Sequence, residues 1–173
     1  MTGIWEVENI YYSKELYQID LSKMIKSYKN KLDYRIDFEH EMNKITRSLS
    51  ADQHVDLDKI LFRLGKMVEV DRIYIFEFSK DLKKMNNTYE WCSAGTSPQI
   101  DNLKNIKSNI YPWWMKKLKN NEEIIISDIN NIPEEGKKEK EILKKQSIKS
   151  VLVIPLYTDR LKGFMGFDDV KRP

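Results

Sequence analysis

Between Leu21 and Leu49 the chain has neither proline nor glycine and its apolar residues recur at helical spacing, whereas from Asp71 to Ser79 they alternate. That change of period constrains the fold more than any other feature: one long helix, or two joined end to end, comes first, and a sheet must be built afterwards. Leu21, Ile25, Tyr28 and Leu32 line one side of the helical stretch at 3/4 spacing. Phe38, Met42, Ile45 and Leu49 form a second stripe about a quarter turn round. The first stripe is expected to meet a partner helix and the second a domain core. A helix folded back on its own domain explains the first stripe equally well.

Further along, SLSADQHVD (Ser48 to Asp56) supplies turn and cap formers, and Asp56 can cap a helix through Leu57, Ile60, Leu61, Leu64 and Val68. DRIYIFEFS (Asp71 to Ser79) is β-branched and aromatic, a strand by pattern and propensity. Lys80 to Asn87 reads as a turn and Asn87 to Cys92 as a returning strand, making an antiparallel hairpin. Gly95 to Lys107 suits an irregular crossing loop, and Pro112 opens a short helix with Trp113, Trp114, Met115 and Leu118. Then follow a short strand at Glu123 to Ser127, a charged helix at Lys137 to Gln146, and a strand pair at Ser150 to Tyr157 and Leu161 to Phe167. Pro155 suits an edge or a bulge. This order is not a βαβ alternation, so the expected class is α+β, an antiparallel sheet with helices packed on it.

Composition removes functions. The 173 residues carry 30 basic against 27 acidic side chains, a net charge of +3 that implies no polyanionic partner. No apolar run is long enough to insert in a membrane, and the first residues lack the layout of a signal peptide, so a cytoplasmic location is expected. Cys92 is the single cysteine and there are two histidines, which excludes a disulfide framework and a Cys-rich zinc site and leaves no readable nucleophile–base pair. The chain is expected not to be an enzyme, and no metal site is expected.

Several separated segments then agree on one family. Val70 to Phe78 (VDRIYIFEF), Asn87 to Cys92 (NTYEWC), Gly95 with Pro98-Gln99, Pro112-Trp113-Trp114, Ile142-Leu143 with Gln146, Ser150 to Pro155 (SVLVIP) and Gly163 to Asp169 (GFMGFDD) together resemble a GAF domain. The likeness is to the GAF modules of bacterial and archaeal sensor histidine kinases and diguanylate cyclases, and it covers roughly residues 38–170. The resemblance implies a PAS-like (profilin-like) central antiparallel sheet with flanking helices, and a pocket roofed by the segment from Gly95 to Gln146. It also implies a sensory role: binding a small molecule, or dimerising, to control an output domain in the same polypeptide. The alternative is a constitutive dimerisation or scaffold module without ligand. The expected division is an N-terminal segment and connector helix over residues 1–33 and the GAF domain over 34–173, without the helix that closes most GAF domains after the last strand. Residues 1–20 match no pattern.

His40-Glu41 faintly resembles a phospho-accepting helix, but a surface position on an entry helix explains it. Cys92 is followed by Ser93, where bilin-carrying relatives commonly place histidine, and reads as a small hydrophobe; neither bilin, haem nor cyclic nucleotide is supported by motif, leaving the cofactor unknown. Gly163-Phe-Met-Gly166 is expected to let helices or a loop approach the sheet, and Asp168-Asp169 to form a strand-end turn. Trp91, Trp113, Trp114 and Phe167 are the candidate pocket wall, with ordinary core as the alternative for at least two of them. Adjacent Trp113 and Trp114 must point different ways. Lys137 to Lys149, interrupted by Glu139 and Glu141, reads as a solvated helix face and not as a nucleic-acid site.

Overall fold

The computed structural model describes residues 3–50 and 56–171, with side chains over 21–44 and 56–171. The chain divides into two units, residues 1–54 and 55–173. The first contains one element, helix α1 (Gly3–Ser50), which runs unbroken past the boundary expected at residues 33 and 34 and takes in most of the N-terminal segment that matched no pattern. On it, Leu21, Ile25, Tyr28 and Leu32 are exposed to between 57% and 68%, so nothing within this unit covers the first stripe. Phe38 and Met42 are half-buried, while Ile45 and Leu49 lie outside the residues whose side chains are described. No described helix is long and apolar enough to cross a membrane.

The second unit is a six-stranded antiparallel sheet flanked by helices. Asp56 caps α2 (Leu57–Val68), its carboxyl accepting from the Lys59 amide at 3.1 Å. The strands are β1 (Arg72–Phe78), β2 (Lys84–Cys92), β3 (Ile106–Lys107), β4 (Ile124–Ile126), β5 (Ser150–Tyr157) and β6 (Leu161–Asp169), in the spatial order β3-β2-β1-β6-β5-β4. Strand β2 starts three residues earlier than the sequence suggested. Lys84 to Asn86 fall in the mostly polar segment read as turn, yet Met85 pairs with Phe78 and is buried, so the ladder overrides local composition. Helices α3 (Pro112–Lys119) and α4 (Lys137–Lys145) lie between β3 and β5 in sequence.

Alternation divides the sheet into two faces. Ile73 and Ile75 face α2 with Leu61, Tyr89, Trp91, Met165 and Phe167. Tyr74, Phe76, Phe164, Val151 and Val153 face the other side with Met85, Tyr111, Trp114 and Leu143. Phe76 and Phe164 stack at 4.9 Å between ring centroids, and Trp114 meets Phe164 edge-on at 6.1 Å. The ladder between β1 and β2 slips once: Ile75 pairs with Tyr89 but Phe76 with Asn87, leaving Thr88 as an extra residue, a β-bulge. The Thr88 hydroxyl donates to the Ile75 carbonyl at 3.2 Å, and the fully buried Asn87 amide nitrogen donates to the carbonyls of Tyr89 and Ile75. Pro155 pairs with Phe164 on one side; β4 ends opposite Val153, so no strand lies beyond the proline, the local edge its missing N–H requires.

The two glycines of β6 do something other than admit a helix or loop. A Cβ on Gly163 would sit 2.0 Å from the Phe76 carbonyl oxygen, and one on Gly166 2.0 Å from the ring of Tyr74. What comes close is the neighbouring strand itself, and Gly166 lets the Tyr74 ring lie across β6.

Candidate functional site

The inner face of the sheet, the loop after β2, α3 and the end of α4 surround a pocket. Its floor is Arg72, Tyr74 and Phe76 from β1, Met85 and Glu90 from β2, and Phe164 and Asp168 from β6. Gln99 and Leu103 close it from the loop, Tyr111 and Trp114 from the start of α3, and Leu143, Gln146 and Ile148 from α4 and its exit. The free space among these side chains is about 30 Å³, so aromatic and aliphatic groups nearly fill it.

Of the four aromatic residues singled out in the sequence, Trp114 lines this pocket. Trp113 points the other way on α3, half-buried against Gly136 and Ile132. Trp91 and Phe167 belong to the opposite face of the sheet, where Trp91 packs edge-on against Phe62 of α2. Their strand positions are one step out of phase with Glu90 and Asp168, which do line the pocket. The β2 bulge, invisible in the sequence, fixes that phase for Trp91.

Polar groups in the wall are held tightly. Arg72 Nε donates to Asp168 Oδ1 at 2.9 Å in an ion pair whose side chains are 3% and 1% exposed. Burial pushes the Asp168 carboxyl up to about 6 even though the Arg72 hydrogen bond and charge pull it down. Desolvation likewise opposes the charge on Arg72, but the Asp168 carboxyl outweighs it and the guanidinium pKa is raised. Asp168 is therefore a buried ion-pair partner within β6, not part of a strand-end turn. Burial keeps the Tyr74 phenol well above its ordinary value and pushes that of Tyr111 up to about 12, so both hydroxyls stay protonated. Two donors in this wall, Arg72 Nη2 and Trp114 Nε1, are buried and find no acceptor among the described residues.

The loop is fastened from below. Glu90 Oε2 accepts from the amides of Gln99 (2.7 Å) and Ile100 (2.9 Å), the Asn87 amide donates to the Leu103 carbonyl at 2.9 Å, and Lys104 Nζ reaches the Asn87 carbonyl. Glu139, read from sequence as part of a solvated face, is fully buried: its Oε1 accepts from the amides of Trp113 (2.8 Å) and Trp114 (3.2 Å), anchoring the first turn of α3. The signal was present, since Gly136, Glu139 and Leu143 share one stripe of α4. Cys92 is half-buried, and burial pushes its thiol up to about 11. His40 is exposed, and no metal-binding cluster occurs among the described residues.

The pocket wall runs directly into the residues that follow β6. Asp71, next to Arg72, accepts at Oδ2 from the amides of Val170 and Lys171 (both 3.0 Å) and at Oδ1 from Ser93 Oγ (2.9 Å), and pairs with Lys171 Nζ at 2.8 Å. Burial raises the Asp71 carboxyl, but these donors outweigh it and hold the group well below the usual carboxylate range.

This arrangement is the GAF fold. It is shared by the phycocyanobilin-bound GAF domain of a cyanobacterial phytochrome (TM-score 0.61, 16% identity, covering 78% of this chain and 81% of that one). It is shared too by a far-red-absorbing dark state with bound biliverdin (TM-score 0.58, 17% identity, 75% and 84%) and by the photoproduct state of the third GAF domain of Slr1393 from Synechocystis sp. PCC6803 (0.54, 14%, 77% and 78%). At these identities the likeness concerns fold alone. In sequence the chain is similar to the methanogenesis regulatory histidine kinase FilI of Methanothrix harundinacea (strain 6Ac), 32% identical over 149 residues. The match takes in 76% of this chain and 16% of the kinase, so the chain spans about one sixth of that relative's length. No protein-family model matches the chain.

Proposed function

We propose that this chain is the sensory GAF module of a multidomain, cytoplasmic signalling protein, in which a small molecule bound between the sheet and α3 controls an output domain in the same polypeptide. A histidine kinase in a two-component system is the favoured output, because the curated relative is a histidine kinase; a diguanylate cyclase is the alternative. Catalysis belongs to that output and not to this module. Homodimerisation through the exposed stripe Leu21, Ile25, Tyr28 and Leu32 would bring two such modules together.

The observation that carries the reading is the sharing of strands by pocket and exit. Arg72 and Asp168 line the pocket, while Asp71 binds the segment where the chain leaves β6, holding Val170 and Lys171, and its own amide donates to Asp169 Oδ1 at 3.2 Å. A ligand that moves the Arg72–Asp168 pair must act on that exit, and it can bias signalling only through different affinity for two arrangements. Hydrogen exchange at the Val170 and Lys171 amides tests this. A metabolite that raises the melting temperature is expected to change their protection. Unchanged protection with a bound metabolite would sever pocket from exit.

The near-complete filling of the pocket favours a second reading, a dimerisation module whose aromatics occupy their own cavity. A metabolite library that produces no thermal shift selects it. Covalent ligand attachment at Cys92 is disfavoured in either case, since a thiol raised to about 11 forms little thiolate at neutral pH.

A further inference from the structure

The pocket's hydrogen-bonding capacity is unbalanced in one direction. Its carboxyl groups are already engaged: Asp168 accepts from Arg72, and Glu90 Oε2 from two amides of the loop. Its donors are not. Arg72 is 3% exposed and Trp114 4%, both line the cavity, and on each a buried nitrogen lacks an acceptor among the described residues. An unmet buried donor is costly, more so on a charged group, so two in one wall mark a place where an acceptor is wanted.

Charge narrows the choice. An anion would meet two carboxyl groups and one guanidinium whose charge is already matched by Asp168, and burying an unpaired charge is far more costly than burying a carbonyl. A cation would compete with those donors for the two carboxyl groups and would face the guanidinium. The rest of the wall is aromatic and aliphatic, with Tyr74, Phe76, Phe164 and Tyr111 offering flat apolar surface. A free space of about 30 Å³ is the share of one water molecule in the liquid, so anything larger enters by displacing the loop over residues 93–105. Glu90 is that loop's fastening, and Gly95, at φ +79 with no atom near where a Cβ would stand, gives its start room to turn.

We propose that this pocket binds a small neutral molecule with a flat apolar body and one carbonyl-type oxygen, such as an amide, ester or ketone, which accepts hydrogen bonds from Arg72 and Trp114. The assignment rests on the ligand-sensing reading above and specifies its chemistry.

Three probes with the same ring and different heads separate the possibilities: benzamide, benzoate and benzylamine. The readout is the indole N–H cross-peak of Trp114 in the ¹⁵N-labelled full chain, assigned by its loss in Trp114→Phe. Benzamide is expected to move this peak and to bind roughly tenfold or more tighter than either charged probe, about 1.4 kcal/mol. Arg72→Lys, which keeps the charge opposite Asp168 but removes Nη2, is expected to erase most of that preference. Equal or tighter binding of benzoate or benzylamine overturns the ligand class and leaves the sensing reading standing. If no probe moves the peak, the class again fails; the sensing reading then fails with it only if the metabolite library also gives no thermal shift.

Discussion

A methyl group on Gly65 of α2 would lie 2.1 Å from the indole of Trp91. The helix therefore approaches β2 as closely as it does because this residue has no side chain, and the Trp91 ring, held edge-on by Phe62, has little room to yield. Gly65→Ala is expected to destabilise by about 1–3 kcal/mol through overpacking, outweighing the roughly 1 kcal/mol that alanine contributes to an exposed helix. Denaturant unfolding measures the sign, and a more stable variant would show that the contact is loose. At this scale the sequence was least readable. Gly65 gave no hint of a neighbour 26 positions away, and Glu139 looked like one more charge among lysines. Asp168 looked like a turn residue because its partner, Arg72, lies 96 residues earlier. Residue roles set by long-range pairs leave little local trace, at most a place on a buried stripe like that of Glu139, whereas the Asp56 cap, a local device, was legible.

Elements were read better, because periodicity is local. The hairpin, the Pro112 helix, the strand pair at the end and their order all follow from pattern, and together they carried the GAF resemblance. What pattern could not supply was phase: Trp91 was grouped with Trp114, yet the sheet separates them. For α1 the open question is the partner of its exposed stripe. At about 1.5 Å per residue, its 48 residues extend about 70 Å, ample length for a paired seam. The expected outcome is a dimer in light scattering, converted to monomer by Ile25→Glu, whose charge cannot sit in an apolar seam. A monomeric parent chain at high concentration would remove the dimer from the proposal.

For the molecule as a whole, two buried carboxyl groups pull stability in opposite senses with pH. Asp168, at about 6 against an ordinary 3.8, holds a proton in the native state that the unfolded chain has released. Its contribution is present at the acid side of that interval and is lost as pH rises through about 6. Asp71 is held low, so its contribution is present above about pH 4 and is lost on further acidification. The melting temperature is therefore expected to peak near pH 4, falling on the acid side and falling again between about pH 4 and 6 before it levels off. In Asp168→Asn the decline between about pH 4 and 6 should vanish while the acid limb remains. A profile flat from pH 4 to 8 in the parent chain would mean that the ion pair, not burial, governs Asp168.

The bulge at Thr88 makes the hairpin unequally tolerant of lost residues. Met85 and Asn87 face the pocket side, as does Glu90, and an odd number of steps from Asn87 to Glu90 is possible only because Thr88 stands outside the ladder. A chain lacking Thr88 would pair regularly with every flanking side chain still on its present face. A chain lacking Tyr89 instead would also pair regularly and turn nothing over, but Thr88 would stand opposite Ile75 in place of a core aromatic. A chain lacking Asn86 would shift Met85 onto the α2 face unless the strand slid along its partner. Sequence divergence among chains built on this sheet therefore has one inexpensive place to change length in β2, and it lies directly under the loop that Glu90 fastens.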